Sequence, residues 1–205
     1  MGQEMKRVAF GILWVTLIIE CMYVAFSRLV LHAAWGHVAQ PLIFIGLFGL
    51  FAASQGNIRW IAVLPRLAIA AEFLLSVADR FGLLGLPGNG VSWGDFAHFV
   101  AYTRQVNAFL PASFAPSLAV LATICEVTFG ITLLLGIRVQ LFARCAAILL
   151  LLFASAMTLS RLIESQFFYA VFVLAAGAWA ISTTGVSWLS LDSLMQRHQA
   201  QPARC

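Results

Sequence analysis

Charged residues are scarce in this chain. Only 10% of its 205 residues are Asp, Glu, Lys or Arg, and 62% are hydrophobic, whereas an average soluble domain carries about 25% charged residues. Because so little polar surface cannot cover a water-soluble globule, the composition predicts a protein whose solvent is largely lipid. The net charge of +4 comes from scattered Lys and Arg side chains. They form no basic cluster of the kind that binds nucleic acid, so no nucleic-acid partner is expected.

Residues typical of metal and nucleotide cofactors are also missing. No two of the four cysteines form a C-x-x-C pair, and the chain has neither a glycine-rich nucleotide motif nor the Glu-x-x-His motif of di-iron sites. All four histidines fall in predicted loops or in the C-terminal tail, which argues against haem: His32, His37, His98 and His198. We predict no metal site. Asp95 and His98 are interpreted as a solvated pair or, alternatively, as a weak metal or proton site.

Long apolar runs dominate instead. A helix needs about 20 residues to cross the hydrocarbon core of a bilayer, and the second of the runs is the shortest. The runs lie at residues 8–30, 39–54, 58–80, 116–137, 141–161 and 166–188. We predict an all-α, polytopic membrane helix bundle with six transmembrane helices. The first run is longer than the apolar part of a signal peptide and is interpreted as a retained helix.

The distribution of Lys and Arg around these runs predicts the orientation. If the N-terminus is cytoplasmic, eight basic residues lie on the cytoplasmic side and four on the other side. Cytoplasmic loops carry the excess of basic residues in membrane proteins. The bias therefore predicts a multi-pass protein with both termini in the cytoplasm.

One long connection joins the third and fourth runs on the outer side. It contains turn residues at Pro87–Gly90, followed by Ser92 and Asp95 at a spacing typical of a helix N-terminal cap. Apolar residues then recur at helical spacing and predict a short amphipathic helix in the membrane interface, with Trp93 and Tyr102 as interfacial aromatics. Such a helix is either a simple connector or a lid over a site that opens outward.

Three glutamates lie within three different predicted spans: Glu20, Glu72 and Glu126. A charged side chain at the bilayer centre costs roughly 2.5 kcal/mol or more on insertion scales, and such residues usually mark a functional site. On helical wheels Glu72 shares a polar face with Asp79. Glu126 shares a face with Gly130, whose small size allows a neighbouring helix to approach closely. The carboxyl groups are therefore predicted to face the inside of the bundle, either protonated or paired with a cation.

Arg66 lies six residues before Glu72 in the same span. The two side chains are on different faces of the helix, so a direct pair between them is not expected. Arg66 is interpreted either as the partner of a carboxylate on a neighbouring helix or as a side chain that extends to the interface. The first alternative places its charge in the carboxylate site, and the second places it at the membrane surface.

A series of short motifs runs from the third span to the fifth. The most specific is EVTFGITLLLGIR at 126–138, and the others are RLAIA at 66–70, DRFG at 79–82, FVAY at 99–102 and LP at 110–111. In these motifs the chain resembles the DoxX family of small bacterial and archaeal membrane proteins. On this resemblance, residues 58–190 form a DoxX-like four-helix membrane domain. Residues 1–57 are then a two-helix N-terminal extension, and residues 191–205 are a cytoplasmic tail.

The resemblance implies a compact helix bundle in the bacterial inner membrane. Members of the family are linked to quinone-coupled oxidation of sulfur compounds, to thiol and oxidant defence, or to maturation of a periplasmic enzyme. The matching motifs include Arg66, Glu126, Gly130 and Arg138, and the resemblance assigns none of them a catalytic role. Whether the chain is an enzyme stays open.

The leading hypothesis is a subunit or accessory of a quinone-linked redox system that serves a redox partner protein. Glu126 and Glu72 would hydrogen-bond the quinone head group or move its protons, and Arg66 would set their charge. A small proton-coupled transporter and a non-catalytic anchor or assembly factor are the alternatives. A shared cavity that opens to lipid would favour the quinone, and one that opens to water would favour transport. The candidate site residues are Glu126, Glu72, Glu20, Arg66 and Asp79, with Gly130 and Gly136 as helix-packing positions.

Overall fold

A computed structural model describes residues 2–85, 92–184 and 189–193. The predicted turn at Pro87–Gly90, the last residues of the sixth predicted span (185–188) and most of the predicted tail (194–205) lie outside the described residues. Eight α-helices and a 3-10 helix at Ala112–Phe114 have both ends within the described part. The helices are α1 (Gly2–Leu29), α2 (Trp35–Ser54), α3 (Arg59–Arg80), α4 (Phe96–Val106), α5 (Ala115–Leu135), α6 (Val139–Leu159), α7 (Ile163–Phe168) and α8 (Val171–Ser182).

Five of the described helices are long and apolar enough to cross a bilayer: α1, α2, α3, α5 and α6. This confirms the predicted all-α membrane helix bundle. The helices are apolar on their outer sides as well as their inner sides. On α1, for example, Leu13 is fully buried whereas Val15 is 56% exposed. The second predicted span, 39–54, is longer than expected because its helix begins at Trp35, so that Pro41 lies inside the helix rather than in its first turn.

The sixth predicted span, 166–188, is not a single helix. The chain breaks at Ala170, whose backbone is left-handed with φ of 48°, and then resumes as α8. α8 has 12 residues and almost all of them are buried, because it packs against α1 and α6. A Cβ at Gly177 would overlap the ring of Phe48, so the glycine is what lets α2 approach this helix. α8 is therefore a core element rather than a lipid-facing span, as its apolar residues on all sides allow.

The described beginning and end of the chain lie at the same end of the bundle. Lys6 Nζ donates a hydrogen bond to Asn57 Oδ1 at 3.1 Å, which joins the start of α1 to the α2–α3 turn. In the same turn a Cβ on Gly56 would lie 2.6 Å from the side chain of Thr184, which follows α8. An even number of passages through the bundle therefore separates the two ends. We call this end the N-terminal end. The opposite end of the bundle, where α4 lies, is called the α4 end.

α4 lies across the α4 end of the bundle, against α3, α5 and α6. Its N-cap is Asp95, whose side chain accepts the backbone N–H of His98 at 2.8 Å. The prediction that Ser92 begins this helix is therefore wrong, because the cap lies three residues later. The helix is amphipathic as predicted, and it buries Phe99 and Thr103 toward the other helices. This face of α4 forms the roof of the site described next.

Candidate functional site

A cavity of about 670 Å³ lies beneath α4, among α3, α5, α6 and the segment that joins α7 to α8. Most of its lining side chains are apolar. Its ionisable side chains come from four parts of the chain, and they are Glu72, Asp79, Arg80, Tyr102, Glu126 and Tyr169. The helical packing therefore brings charged and phenolic groups together inside an apolar chamber.

Arg80, the last residue of α3, and Glu126, near the middle of α5, form a buried ion pair. Arg80 Nη2 lies 2.6 Å from Glu126 Oε2, and the two side chains are 2% and 3% exposed. The two helices are in close contact near this pair, because a Cβ on Gly130 would lie only 2.8 Å from Leu74 Cγ of α3. The missing side chain of Gly130 thus allows the approach of α3 to α5 from which the ion pair follows.

The guanidinium of Arg80 is held on several sides. Nη1 donates to Thr123 Oγ1 at 3.0 Å, and Nη2 donates to Ser76 Oγ at 2.9 Å. Cζ lies 3.6 Å from the ring centroid of Phe99 and 5.3 Å from that of Trp93, and both rings attract the cation through their π faces. The cation therefore has a defined orientation at the wall of the cavity.

Glu72 lies two turns before Arg80 on α3 and reaches the same cavity. Its Oε2 accepts a hydrogen bond from Gln40 Nε2 of α2, at 3.2 Å. No described cation lies within ion-pair distance of Glu72. The cavity thus contains one carboxylate that is paired with a cation and one carboxyl group whose partner is a neutral amide.

Asp79 ties the loop before α4 to the end of α3. Its carboxylate accepts the backbone N–H groups of Ser92 at 2.8 Å, Trp93 at 3.2 Å and Gly94 at 2.9 Å. Hydrogen bonds to an ionised acceptor are stronger than neutral ones. Asp79 therefore acts as a structural tie that positions Trp93 beside Arg80, and its acceptor capacity is largely used by the loop.

Two tyrosines complete the polar part of the wall. The ring of Tyr102 on α4 lies 5.6 Å from that of Trp93, and burial raises the pKa of its hydroxyl. Tyr102 is therefore protonated at neutral pH and can donate a hydrogen bond. Tyr169, in the break between α7 and α8, lies with its hydroxyl 3.0 Å from that of the exposed Ser92. The break between α7 and α8 thus places a hydroxyl pair where the cavity meets the protein surface.

The cavity wall reaches the side of the bundle as well as its interior. Leu121 on α5 and both Leu152 and Leu159 on α6 line the cavity, yet they are 58%, 61% and 68% exposed. These residues belong to helices that are long enough to cross the membrane. Their exposed sides would meet lipid, so the cavity has an exposed side at these leucines, here called its mouth, where a molecule dissolved in the bilayer could reach it.

The structure brings three of the five candidate site residues to this cavity: Glu72, Asp79 and Glu126. Glu20 is only 1% exposed but lies outside the cavity lining. Its Oε1 has no hydrogen-bond partner among the described residues. It belongs to α1, which packs mainly against α2 and α8, and this explains its separation from the other two glutamates.

Arg66 lies near the N-terminal end of the bundle rather than in the cavity. Its Nη2 donates to the carbonyl oxygen of Leu189 at 2.8 Å, and its guanidinium fills the space where a Cβ on Gly136 would stand. Gly136 ends α5 with a φ of 69°, a conformation that glycine adopts without strain. The cation that faces Glu126 is therefore Arg80, and Arg66 ties the chain after α8 to α3.

From the sequence, Arg80 is predicted to lie at the outer end of the third span, within the DRFG motif at 79–82, and neither Arg80 nor Gln40 is predicted to belong to the site. A signal for Arg80 exists, because Glu72, Ser76 and Arg80 follow one another at intervals of four residues and share a helix face. For Gln40 no local signal exists, because its contact with Glu72 depends on how α2 packs against α3. Contacts between helices that are distant in sequence do not appear in the spacing of either one.

The described residues contain no group of three or more His, Cys, Asp or Glu side chains that could hold a metal ion. Asp95 and His98 form an exposed pair with 2.7 Å between Oδ2 and Nδ1, in agreement with the solvated-pair interpretation. The carboxyl, hydroxyl and guanidinium groups of the cavity wall can form hydrogen bonds with a ligand, and its carboxyl groups can exchange protons with it. Comparison of the chain with protein-family models, with curated proteins and with solved structures finds no match.

Proposed function

We propose that this chain is a DoxX-like integral protein of the bacterial inner membrane that binds a quinone in the cavity beneath α4. It would act as a subunit or accessory of a quinone-linked redox system, with both termini in the cytoplasm. The observation that carries the proposal is a single cavity with a mostly apolar wall, a mouth among lipid-facing leucines, and Glu72, Arg80 and Glu126 in its lining. A quinone matches this arrangement, since it has a long apolar tail and a head group with two carbonyl oxygens.

Each part of the cavity has a role in this proposal. The apolar wall holds the tail, which enters from the bilayer between α5 and α6. The carbonyl oxygens of the head group accept hydrogen bonds from groups such as the Tyr102 hydroxyl. Reduction of the quinone to the quinol adds two electrons and two protons. The electrons come from a redox partner protein, and Glu72 passes protons to the head group.

The proposal is tested by ligand binding to the purified protein in lipid nanodiscs. Short-tailed ubiquinone and menaquinone analogues are titrated in, and quenching of tryptophan fluorescence is followed, because Trp93 lies in the cavity wall. We expect saturable quenching that is mostly absent in Trp93→Phe. Glu126→Gln removes the charge that pairs with Arg80 in the cavity wall. This variant should bind the quinone analogue about tenfold more weakly, or weaker still. Quenching that never saturates, or that is as strong in Trp93→Phe as in the wild-type protein, would contradict the proposal.

A second candidate is a small proton-coupled transporter, and the broken last span favours it. The break at Ala170 follows Tyr169, which lines the cavity, and transporters often bind substrates at discontinuous helices. In this case a pH gradient across proteoliposomes would drive solute uptake, and Glu72→Gln would abolish it. A protein that neither binds quinone nor transports a solute, yet purifies with a stable partner, would be an anchor or assembly factor.

A further inference from the structure

The carboxyl group of Glu72 faces the cavity with a neutral partner. Gln40 Nε2 donates to Oε2 at 3.2 Å, and within the described part of the chain no cation lies within ion-pair distance of Glu72. Arg80, which lines the same cavity, already pairs with Glu126 and donates to Thr123 and Ser76. Glu72 thus lacks the countercharge that Glu126 has.

An uncompensated carboxylate inside an apolar chamber is costly, and such a group usually takes up a proton instead. A protonated carboxyl group has one O–H donor and keeps acceptor capacity on its other oxygen. Because the amide of Gln40 occupies Oε2 as an acceptor, the hydroxyl is left at Oε1. The geometry therefore fixes Oε2 of Glu72 as an acceptor and leaves the hydroxyl at Oε1 free to donate a hydrogen bond.

We propose that Gln40 is a positioning residue, which holds Oε2 of Glu72 so that the neutral carboxyl group donates a hydrogen bond from Oε1 to a carbonyl oxygen of the ligand. The quinone identity of that ligand rests on the proposed function. The ligand class that follows is a neutral, lipid-soluble carbonyl compound, because the cavity offers it a donor rather than an unpaired negative charge.

The contact between Gln40 and Glu72 also gives the N-terminal helix pair, α1 and α2, a part in the ligand site. Gln40 belongs to α2, outside the segment that resembles DoxX proteins, yet it lines the same cavity as Glu72. The two-helix extension would then complete the ligand site. The other ionisable side chains that line the cavity are Asp79, Arg80, Tyr102, Glu126 and Tyr169.

The test is infrared difference spectroscopy of the protein in lipid vesicles at neutral pH, with and without a short-tailed ubiquinone analogue. The C=O stretch of a protonated carboxyl group is assigned to Glu72 by its loss in Glu72→Gln. In Gln40→Met, which keeps the side-chain length but has no N–H, we expect this band to move to higher frequency. In the wild-type protein the analogue should shift the band, and Gln40→Met should bind the analogue about tenfold more weakly.

Gln105→Leu on α4 is the matched control, because Gln105 is exposed, and it should leave the band in place. Gln40→Asn, whose shorter amide cannot reach Glu72, provides a second variant with the same expected shift if Gln40→Met does not fold. The inference is overturned if no protonated carboxyl band belongs to Glu72, or if removal of the Gln40 amide leaves that band unchanged. Absence of analogue binding to the wild-type protein, with the band still moved by Gln40→Met, would overturn the quinone assignment alone.

Discussion

Arg80 and Glu126 face each other across the contact of α3 and α5, with 2.6 Å between Nη2 and Oε2 and with both side chains almost completely buried. A pair of this kind contributes little net stability, because the cost of removing two charges from water offsets their attraction. Breaking the pair is different, since it leaves one charge buried without a partner. The pair is therefore expected to govern both the stability of the bundle and the polarity of the cavity.

The first prediction concerns this pair. Glu126→Leu alone and Arg80→Met alone should each lower the free energy of unfolding by about 3–5 kcal/mol, whereas the double variant should lose much less. Unfolding in detergent micelles, followed by circular dichroism, measures these differences. Thr123→Val serves as the reference for loss of a single hydrogen bond to the charged Arg80 and should cost about 1.5–3 kcal/mol. Additive losses in the double variant would show that the two charges are not coupled.

The second prediction concerns Gly130. A Cβ there would lie 2.8 Å from Leu74 Cγ, so Gly130→Ala should force α3 and α5 apart and cost about 1–3 kcal/mol of unfolding free energy. Gly11 in α1 is the control, because nothing lies within 4 Å of a Cβ at that position. Gly11→Ala should leave stability unchanged or raise it by up to about 1 kcal/mol, since alanine is the better helix former. Equal effects of the two variants would contradict the close contact.

The third prediction concerns the tie between Asp79 and the loop before α4. Asp79→Ala removes the acceptor of the backbone N–H groups at residues 92–94. Each such bond to a charged group is worth about 1.5–3 kcal/mol, so hydrogen exchange at Trp93 and Gly94 should become faster. Asp79→Asn keeps one acceptor oxygen and should be intermediate. Exchange rates that do not follow this order would mean that the loop is held by other contacts.

The fourth prediction concerns pH. The backbone N–H of His98, together with its ring, holds the pKa of Asp95 below its usual value near 3.9. Because the pKa is lower in the folded state, the cap stabilises the start of α4 fully above the unfolded pKa. That stabilisation disappears as the pH falls through the folded pKa. Hydrogen exchange of the His98 amide, corrected for its intrinsic pH dependence, should therefore accelerate at low pH. Asp95→Asn, which still caps the helix, should abolish the change.

The sequence predicts the long spans well, because apolar length is a strong signal and the bilayer fixes the length that a helix needs. It fails at the last span, where 166–188 reads as one apolar run. The break at Ala170 leaves no local mark, since alanine rarely adopts a left-handed backbone and is a good helix former. Packing of α8 among α1, α2 and α6 determines its limits, and that packing is not visible in the run itself.

The candidate site has the same limit: spacing predicts which residues share a helix face, but not which helices they meet. Periodicity along α3 predicts that Glu72 and Asp79 share a face, and both side chains line the cavity. The shared face of Glu126 and Gly130 predicts a close helix contact, and Gly130 lies against Leu74 of α3. Periodicity does not reveal which residues meet across helices. Arg80, rather than Arg66, faces Glu126 because α3 and α5 pack antiparallel, so that Arg66 lies beside Gly136 and Arg80 lies beside Thr123 and Glu126. Gln40 enters the site only because α2 packs beside α3.

The position of α8 has a consequence for how the protein is made. It is the last of these helices to leave the ribosome, and at 12 residues it is too short to partition into the bilayer as a stable span by itself. Its neighbours α1 and α6 are synthesised earlier and must wait in the membrane with those faces in contact with lipid or with one another. Final assembly then requires the short helix to displace these provisional contacts. Assembly of this part of the bundle therefore has to wait until α8 has left the ribosome, and a ribosome stalled shortly after Ser182 would hold an open, protease-sensitive intermediate.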